Sequence, residues 1–451
     1  MNSTNFPSHP VGNHRKSWCL LAVIGCCAGL GCNSSVSSPG ASLRTVTFPS
    51  ASSQQWVKQS SVGTSPSGTA VNDFTTNISL SSQGSNITAL GRAVPNPLPE
   101  NNAPPIQEQE FLASFDASGN SVGSTPIGQG VLVTTATLAT GTPDGNYAAA
   151  SNPATVANSP TLLPLNVEKF SSTGATIWTA TLPTTSQFIQ FRPNAIVADA
   201  SGDIYVAGSV NGPTDGLWGV FFAKFDGNSG SLVWQDEYPS IDDGMVNNLA
   251  ADANGNLYVV GIGNGKFTSS SNGTSSFLAK LDSGTGKTIW SLPAPSGISF
   301  MGAAVNSAGN GYIVGKFGTK QRIGYLAGFS TQSGALTWQE QFGGGTLLPS
   351  NVSVDASGDA IFVGGVSGAS NSTAQDLFVA KIDTGGQPVW MQKFGAGQED
   401  RSADSEAPLS PYVVTDGQSN IYVAGITAGA FPGFQNPSGL GEAFVAKFAA
   451  Q

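Results

Sequence analysis

From residue 54 onward, short apolar runs are separated by Gly, Pro, Asn, Asp and Ser. One run reads Phe277-Leu278-Ala279-Lys280-Leu281-Asp282, followed by Gly286 and Trp290. It returns as Phe222-Ala223-Lys224-Phe225-Asp226 with Gly230 and Trp234, and as Phe378-Val379-Ala380-Lys381-Ile382-Asp383 with Gly386 and Trp390. Weaker copies lie at 167–170 with Trp178 and at 326–329 with Trp338; the outermost lie at 111–116 and 444–448. A second run alternates with the first: Asp199-Ala200-Ser201-Gly202-Asp203-Ile204-Tyr205-Val206-Ala207-Gly208. Its partners are 252–261, 306–315, 355–364 and 416–425, with degenerate copies at 84–91 and 144–147. Each run thus occurs seven times, and the spacing of about fifty residues marks a repeat architecture.

The second run has the chemistry of a tight hairpin. A short Asp or Asn side chain accepts a backbone N–H within the turn, and Gly takes the positive φ that other residues avoid. The β-branched and aromatic residues that follow fit a pleated strand. Each repeat supplies four strand signals: an apolar stretch such as Ala195-Ile196-Val197, the Ile-Tyr-Val run, the Phe-x-Ala-Lys-x-Asp run, and the Trp run. Four antiparallel strands in a repeat of this length predict one blade of a β-propeller. No stretch beyond the leader carries helical periodicity over a useful length.

The ends suggest how such a ring would close. The chain stops after a Phe-x-Ala-Lys run, at 444–448, with no Trp strand left. The missing strand stands at the other end as Gln55-Trp56-Val57-Lys58-Gln59. The expected fold is therefore all-β: a seven-bladed β-propeller of four-stranded antiparallel blades, its last blade completed by an N-terminal strand that removes the open edge. Trp56, Trp178, Trp234, Trp290, Trp338 and Trp390 then share one structural position in the repeat. Trp218 is the exception, and the first blade has Gly123 in that place.

Composition narrows the function. Only 10% of the 451 residues are charged, and the net charge is -10. Nucleic acid is not an expected partner, because phosphate binding needs clustered Lys and Arg. Lys169, Lys224, Lys280, Lys381 and Lys447 are spread one per repeat, and each is expected to pair with a carboxylate or cap carbonyls at a blade edge. All four Cys and both His lie in the first 32 residues. A propeller starting beyond them has no disulfide framework, no Cys/His metal or haem site, and no Ser-His-Asp or Cys-His nucleophile. General acid–base chemistry would fall to carboxylates, Lys and Tyr.

The leader adds a location. Arg15 and Lys16 precede an apolar run, residues 18–31, too short to span a bilayer. It ends in Leu30-Gly31-Cys32-Asn33-Ser34-Ser35 and a Ser-rich stretch. A small residue before Cys and a polar tether after it resemble a bacterial lipoprotein signal. The expected lipidated residue is Cys32; the alternative, Cys26, would leave an apolar stub after the lipid. The expected organisation is a signal peptide over 1–31, a flexible tether over 32–50 and the propeller over 51–451. The protein is then exported and lipid-anchored to the cell envelope, at the outer membrane or cell surface, as a monomer.

The paired runs resemble the bacterial seven-bladed β-propeller repeat family, the SBBP repeats. The likeness is strongest in Asn420-Ile421-Tyr422-Val423-Ala424-Gly425-Ile426-Thr427 followed by Phe431-Pro432-Gly433, and in 376–383 with Trp390 and Phe394-Gly395. It covers about residues 54–451. It implies a scaffold fold and no particular activity, since every residue in the motif is one the fold needs. Asp282-Ser283-Gly284-Thr285-Gly286-Lys287-Thr288-Ile289-Trp290 is also similar to the tryptophan-docking run of quinoprotein dehydrogenases. Those enzymes carry adjacent cysteines and a calcium held by carboxylates; here the only adjacent pair, Cys26-Cys27, is in the leader.

The remaining candidates are loops: Glu399-Asp400-Arg401 with Asp404 and Glu406, Asp242-Asp243, and the Pro-rich insert at 95–105. Each is expected to be a solvated or stiffened loop, and no Asp-x-Asp-x-Asp-Gly calcium loop occurs. The expected role is non-catalytic binding or scaffolding of an envelope protein or glycan, without a cofactor. The alternatives are a glycan hydrolase or lyase using two carboxylates at the channel mouth and, behind it, a quinoprotein-type dehydrogenase. A mouth lined by acids and aromatics would favour an enzyme, and one lined by Ser, Gly and Asn would favour binding.

Overall fold

A computed structural model of the chain describes residues 43–50, 54–60, 71–80, 86–95, 109–127, 138–152, 164–184, 189–212, 218–240, 244–263, 267, 275–318, 323–343, 347–367, 375–395, 412–427, 430–431, 433–434 and 442–449. It is an all-β propeller of four-stranded antiparallel blades. The first two strands are β1 (Leu43–Thr45) and β2 (Gln54–Ser60). Sheet 1 holds β3 (Val71–Leu80), β4 (Asn86–Pro95), β5 (Gln109–Asp116) and β6 (Ser121–Ile127). Sheet 2 holds β7 (Leu138–Gly141), β8 (Tyr147–Ser151), β9 (Leu165–Phe170) and β10 (Thr176–Leu182). Sheet 3 holds β11 (Gln190–Ala198), β12 (Ile204–Asn211), β13 (Trp218–Phe225) and β14 (Leu232–Ser240). Sheet 4 holds β15 (Met245–Ala251), β16 (Leu257–Gly263), β17 (Ser275–Leu281) and β18 (Thr288–Pro293). Sheet 5 holds β19 (Ile298–Val305), β20 (Asn310–Phe317), β21 (Ile323–Ser330) and β22 (Leu336–Phe342). Sheet 6 holds β23 (Leu347–Val354), β24 (Ala360–Ser367), β25 (Gln375–Ile382) and β26 (Pro388–Phe394). Sheet 7 holds β27 (Tyr412–Thr415), β28 (Ile421–Thr427) and β29 (Glu442–Phe448), and its fourth strand is β2.

The turn chemistry sets the strand boundaries. In sheet 3, one carboxylate oxygen of Asp199 accepts the N–H groups of Ser201 at 2.9 Å and Asp203 at 3.0 Å. Gly202 sits at φ 88°, where a Cβ would be strained. Asp252, Asn306, Asp355 and Asp416 hold their turns in the same way. Each turn returns the chain at once, so successive strands pair antiparallel.

Apolar side chains pack between successive sheets from sheet 2 to sheet 7 and between sheet 7 and sheet 1. Tyr205, Ala207 and Phe222 of sheet 3 share a cluster with Val246, Leu257, Val259 and Phe277 of sheet 4. Sheet 7 meets sheet 1 in the same manner, through Tyr422, Ala424 and Val445 against Ile87, Ala89 and Phe115. β2 pairs antiparallel with β29, with Val57 opposite Ala446 and Lys58 opposite Val445.

One part of the sequence reading needs correction. The sequence predicts a flexible tether over 32–50, but residues 43–50 depart from it. They are held: β1 pairs in parallel with β22, and Ser50 bridges Met391 of β26. Val46 and Phe48 provide the reason, because their apolar side chains pack into the cluster between sheets 5 and 6.

Candidate functional site: the central channel

The innermost strands of the sheets surround a cavity of about 680 Å³. Its described lining comes from β7, β11, β15, β19, β23 and β27, the first strands of sheets 2–7. Four of these strands bulge at one equivalent point: between Pro193 and Ala195, Val246 and Asn248, Phe300 and Gly302, and Pro349 and Asn351. A bulge adds an unpaired residue and re-aims its side chain. The added residues are Asn194, Asn247, Met301 and Ser350, and all four line the cavity. Alternation along an inner strand does not foretell this, since one extra residue leaves no mark in the sequence.

The channel amides also join neighbouring strands. Asn247 Nδ2 donates to the Phe300 carbonyl at 2.8 Å, and Asn248 Oδ1 accepts the Ala303 N–H at 3.1 Å. Asn351 Oδ1 accepts the Val413 N–H at 3.4 Å, and Thr415 Oγ1 donates to the Val354 carbonyl at 2.6 Å. The rest of the described lining is Ala, Val, Leu, Ile, Gly, Ser, Thr and Tyr412. No Asp, Glu, Lys, Arg or His is among these lining residues. Tyr412 is their one titratable side chain, and burial raises its hydroxyl pKa, so it remains a neutral donor. The channel therefore offers amide, hydroxyl and apolar contacts, and its described residues supply no pair of carboxylates.

The repeat lysines lie elsewhere, at the tight-turn end of the sheets. Lys224 pairs with Asp203 at 2.9 Å, Lys381 with Asp355 at 2.8 Å, Lys280 with Asp252 at 3.6 Å and Lys169 with Asp144 at 2.7 Å. Burial alone would lower the Lys381 pKa, but Asp355 and Asp359 outweigh it and raise the value. Tyr258 donates its hydroxyl to Asp252, and burial with that carboxylate raises its pKa. The same lysines cap carbonyls of the next sheet: Lys169 reaches Gly227 O at 2.8 Å and Lys447 reaches Ala117 O at 3.1 Å. Both halves of the expectation for these lysines are present, and each lysine is absorbed in holding the fold.

The repeat tryptophans occupy this joint. Trp178 Nε1 donates to Gly227 O at 3.2 Å, Trp234 to Ser283 O at 3.1 Å, Trp338 to Thr384 O at 3.1 Å and Trp56 to Ala117 O at 3.3 Å. Trp290 is 3.4 Å from Thr331 O. Each ring also covers the glycine of the next sheet's second hairpin: a Cβ on Gly286 would lie 2.7 Å from Trp234. Trp390 is buried, and its Nε1 has no acceptor among the described residues. None of these six tryptophans is among the residues that line the cavity. Cys32, Cys26, the 399–406 run, Asp242 and Asp243 fall outside the described residues. Among those described, no group of three or more His, Cys, Asp or Glu could hold a metal.

No family model matches the chain, and no curated protein matches it. Solved structures similar to it include a protein of unknown function from Dyadobacter fermentans DSM 18053, 12% identical over 88% of this chain and 99% of that one, TM-score 0.46. Another is the β-propeller domain of the Trilobed protease from Pyrococcus furiosus, described as having an open velcro topology; it is 10% identical over 84% of this chain and 96% of that one, TM-score 0.44. A protein of unknown function from Bacteroides caccae is 13% identical over 61% of this chain and 82% of that one, TM-score 0.33.

Proposed function

We propose that the chain is a seven-bladed propeller of the SBBP-repeat kind, closed by β2 and held to the cell envelope through lipidated Cys32, and that it binds an uncharged envelope glycan or protein segment at its channel without catalysis. The observation that carries this reading is the lining: Asn, Ser and Thr beside small apolar residues, with no charged side chain among them. The seven sheets and the β2–β29 register support the closed ring. A glycan hydrolase needs two acids facing the substrate, and the described lining presents none. Hydrogen bonds from fixed amides give specificity without salt dependence.

One experiment tests anchor and channel together. Wild type, Cys32→Ser, Cys26→Ser and Ser350→Trp are expressed in a bacterial host, fractionated, and used to capture partners from envelope extract. Cys32→Ser should move to the soluble fraction while Cys26→Ser stays with membranes. Ser350→Trp should stay with membranes and lose the captured component. Capture by wild type should persist from about 0.1 M to about 1 M salt, because no channel charge is there to be screened. Capture unchanged in Ser350→Trp, or abolished by salt, overturns the channel reading. Release of neither cysteine variant overturns the anchor.

A further inference from the structure

Residues 43–50 cross the outer edges of two sheets. In the parallel pairing of β1 with β22, Leu43 stands opposite Gln339 and Thr45 opposite Gln341. The Val46 N–H donates to Gln341 O at 2.9 Å, and farther along the Met391 N–H donates to Pro49 O at 2.7 Å. Leu43, Arg44, Thr45 and Thr47 are exposed, while Val46 and Phe48 are half-buried. Arg44, on the same side as these two, pairs with Glu340, whose side chain is 0% exposed. The second carboxylate oxygen of Glu340 has no partner among the described residues. Phe48 meets Phe342 and Phe362 edge-on, each at 5.6 Å between ring centroids.

Two other sheet junctions hold an aromatic in a comparable place, each supplied by a loop after a second strand. Phe267, after β16, lies 4.9 Å from Tyr238 of the preceding sheet and stacks at 4.6 Å on Phe277 of its own. Phe431, after β28, lies 5.1 Å from Phe444 of its own sheet and shares a cluster with Phe394 of the preceding one. The corresponding segment of sheet 6, residues 368–374, reads Gly-Ala-Ser-Asn-Ser-Thr-Ala and has no aromatic. Phe48 fills that junction from the N-terminal side, and it precedes Pro49 as Phe431 precedes Pro432.

We infer that the outer groove between sheets 5 and 6 is a docking site for an extended segment with a cation and, four residues later, an aromatic ring, and that residues 43–50 are its resident and separately releasable occupant. The backbone arrangement supports release. β22 keeps its antiparallel partner β21, and sheet 7 keeps β2, whether or not residues 43–50 are docked. Leaving therefore breaks no four-stranded sheet. Recognition has three parts: ladder bonds to a free edge, a cation for a carboxylate otherwise buried unpaired, and an aromatic pocket.

The test is hydrogen exchange on the full-length chain. In wild type, the Val46 and Met391 amides should exchange slowly. In Phe48→Ala both should exchange about tenfold faster or more, while Val57 and Val445 keep wild-type protection and so report an intact ring. A synthetic peptide of residues 41–52, added in excess to Phe48→Ala, should restore protection at Met391. The same peptide carrying Phe48→Ala should not. The inference is overturned if Phe48→Ala leaves Val46 and Met391 protected, if those amides open only together with Val57 and Val445, or if the two peptides act alike.

Discussion

Trp338 and Trp390 hold the same position in consecutive sheets, but only one has its hydrogen bond. Trp338 donates to Thr384 O; Trp390 is buried with Nε1 unpaired among the described residues. Truncation of either to Ala should cost about 3–5 kcal/mol, the range for buried aromatics. Replacement by Phe separates them. Both substitutions lose similar volume, but Trp338→Phe also loses a bond worth about 0.5–1.5 kcal/mol. Chemical denaturation should therefore show Trp338→Phe as the more damaging of the two, and equal losses would mean that Trp390 has an acceptor. Asp144 gives a pH dependence. Burial raises its pKa, but Lys169, Thr142 and Asn146 outweigh this and hold it well below the ordinary carboxylate value. The folded chain keeps Asp144 ionised where the unfolded chain, with a carboxyl pKa of about 3.9, takes up a proton. Its stabilisation is thus present above about pH 4 and lost as pH falls toward the lower folded value. Asp144→Asn should be less stable than wild type at pH 6, with the gap closing toward pH 2. A gap independent of pH would remove the ion pair from the account.

At the scale of elements, what could be read in advance was whatever is local. The Asp-x-x-Gly turns and the Phe-x-Ala-Lys strands were visible because each turn is decided by four or five neighbouring residues. The partners of the tryptophans were not, because the acceptors are backbone carbonyls such as Ser283 O and Thr384 O, and no side chain advertises them. The bulges at Asn194, Asn247 and Ser350 were hidden for a related reason: a single extra residue re-aims a side chain without changing composition. Residues 43–50 were misread because Ser, Thr and Pro around them suggest a loose linker. The pattern of Arg44, Val46 and Phe48 on alternate positions was there, but its groove is built from residues nearly three hundred positions away.

At the scale of the whole molecule, the ends meet in sheet 7. Deleting residues 51–62 removes β2 and leaves β29 with a bare edge. That variant should aggregate or lose cooperative unfolding. A deletion protein that stays monomeric with wild-type unfolding would show that sheet 7 does not need its fourth strand. The pairing of β2 with β29 was legible in the sequence by counting strands, since one Trp strand was missing at one end and one was spare at the other. The channel lining was not legible, because it depends on how sheets with no sequence contact converge.

Sheet 7 also imposes an order in time. Sheets 1–6 each draw their four antiparallel strands from one continuous stretch, so each can form soon after its own residues leave the ribosome. β2 is among the first strands made, yet its partner, residues 442–448, is among the last. For most of its biogenesis the chain therefore carries an early strand with nothing to pair, beside a growing row of sheets that cannot finish. Helpers that keep nascent chains from sticking would find their work here, and a pause anywhere between the two strands would lengthen this exposure.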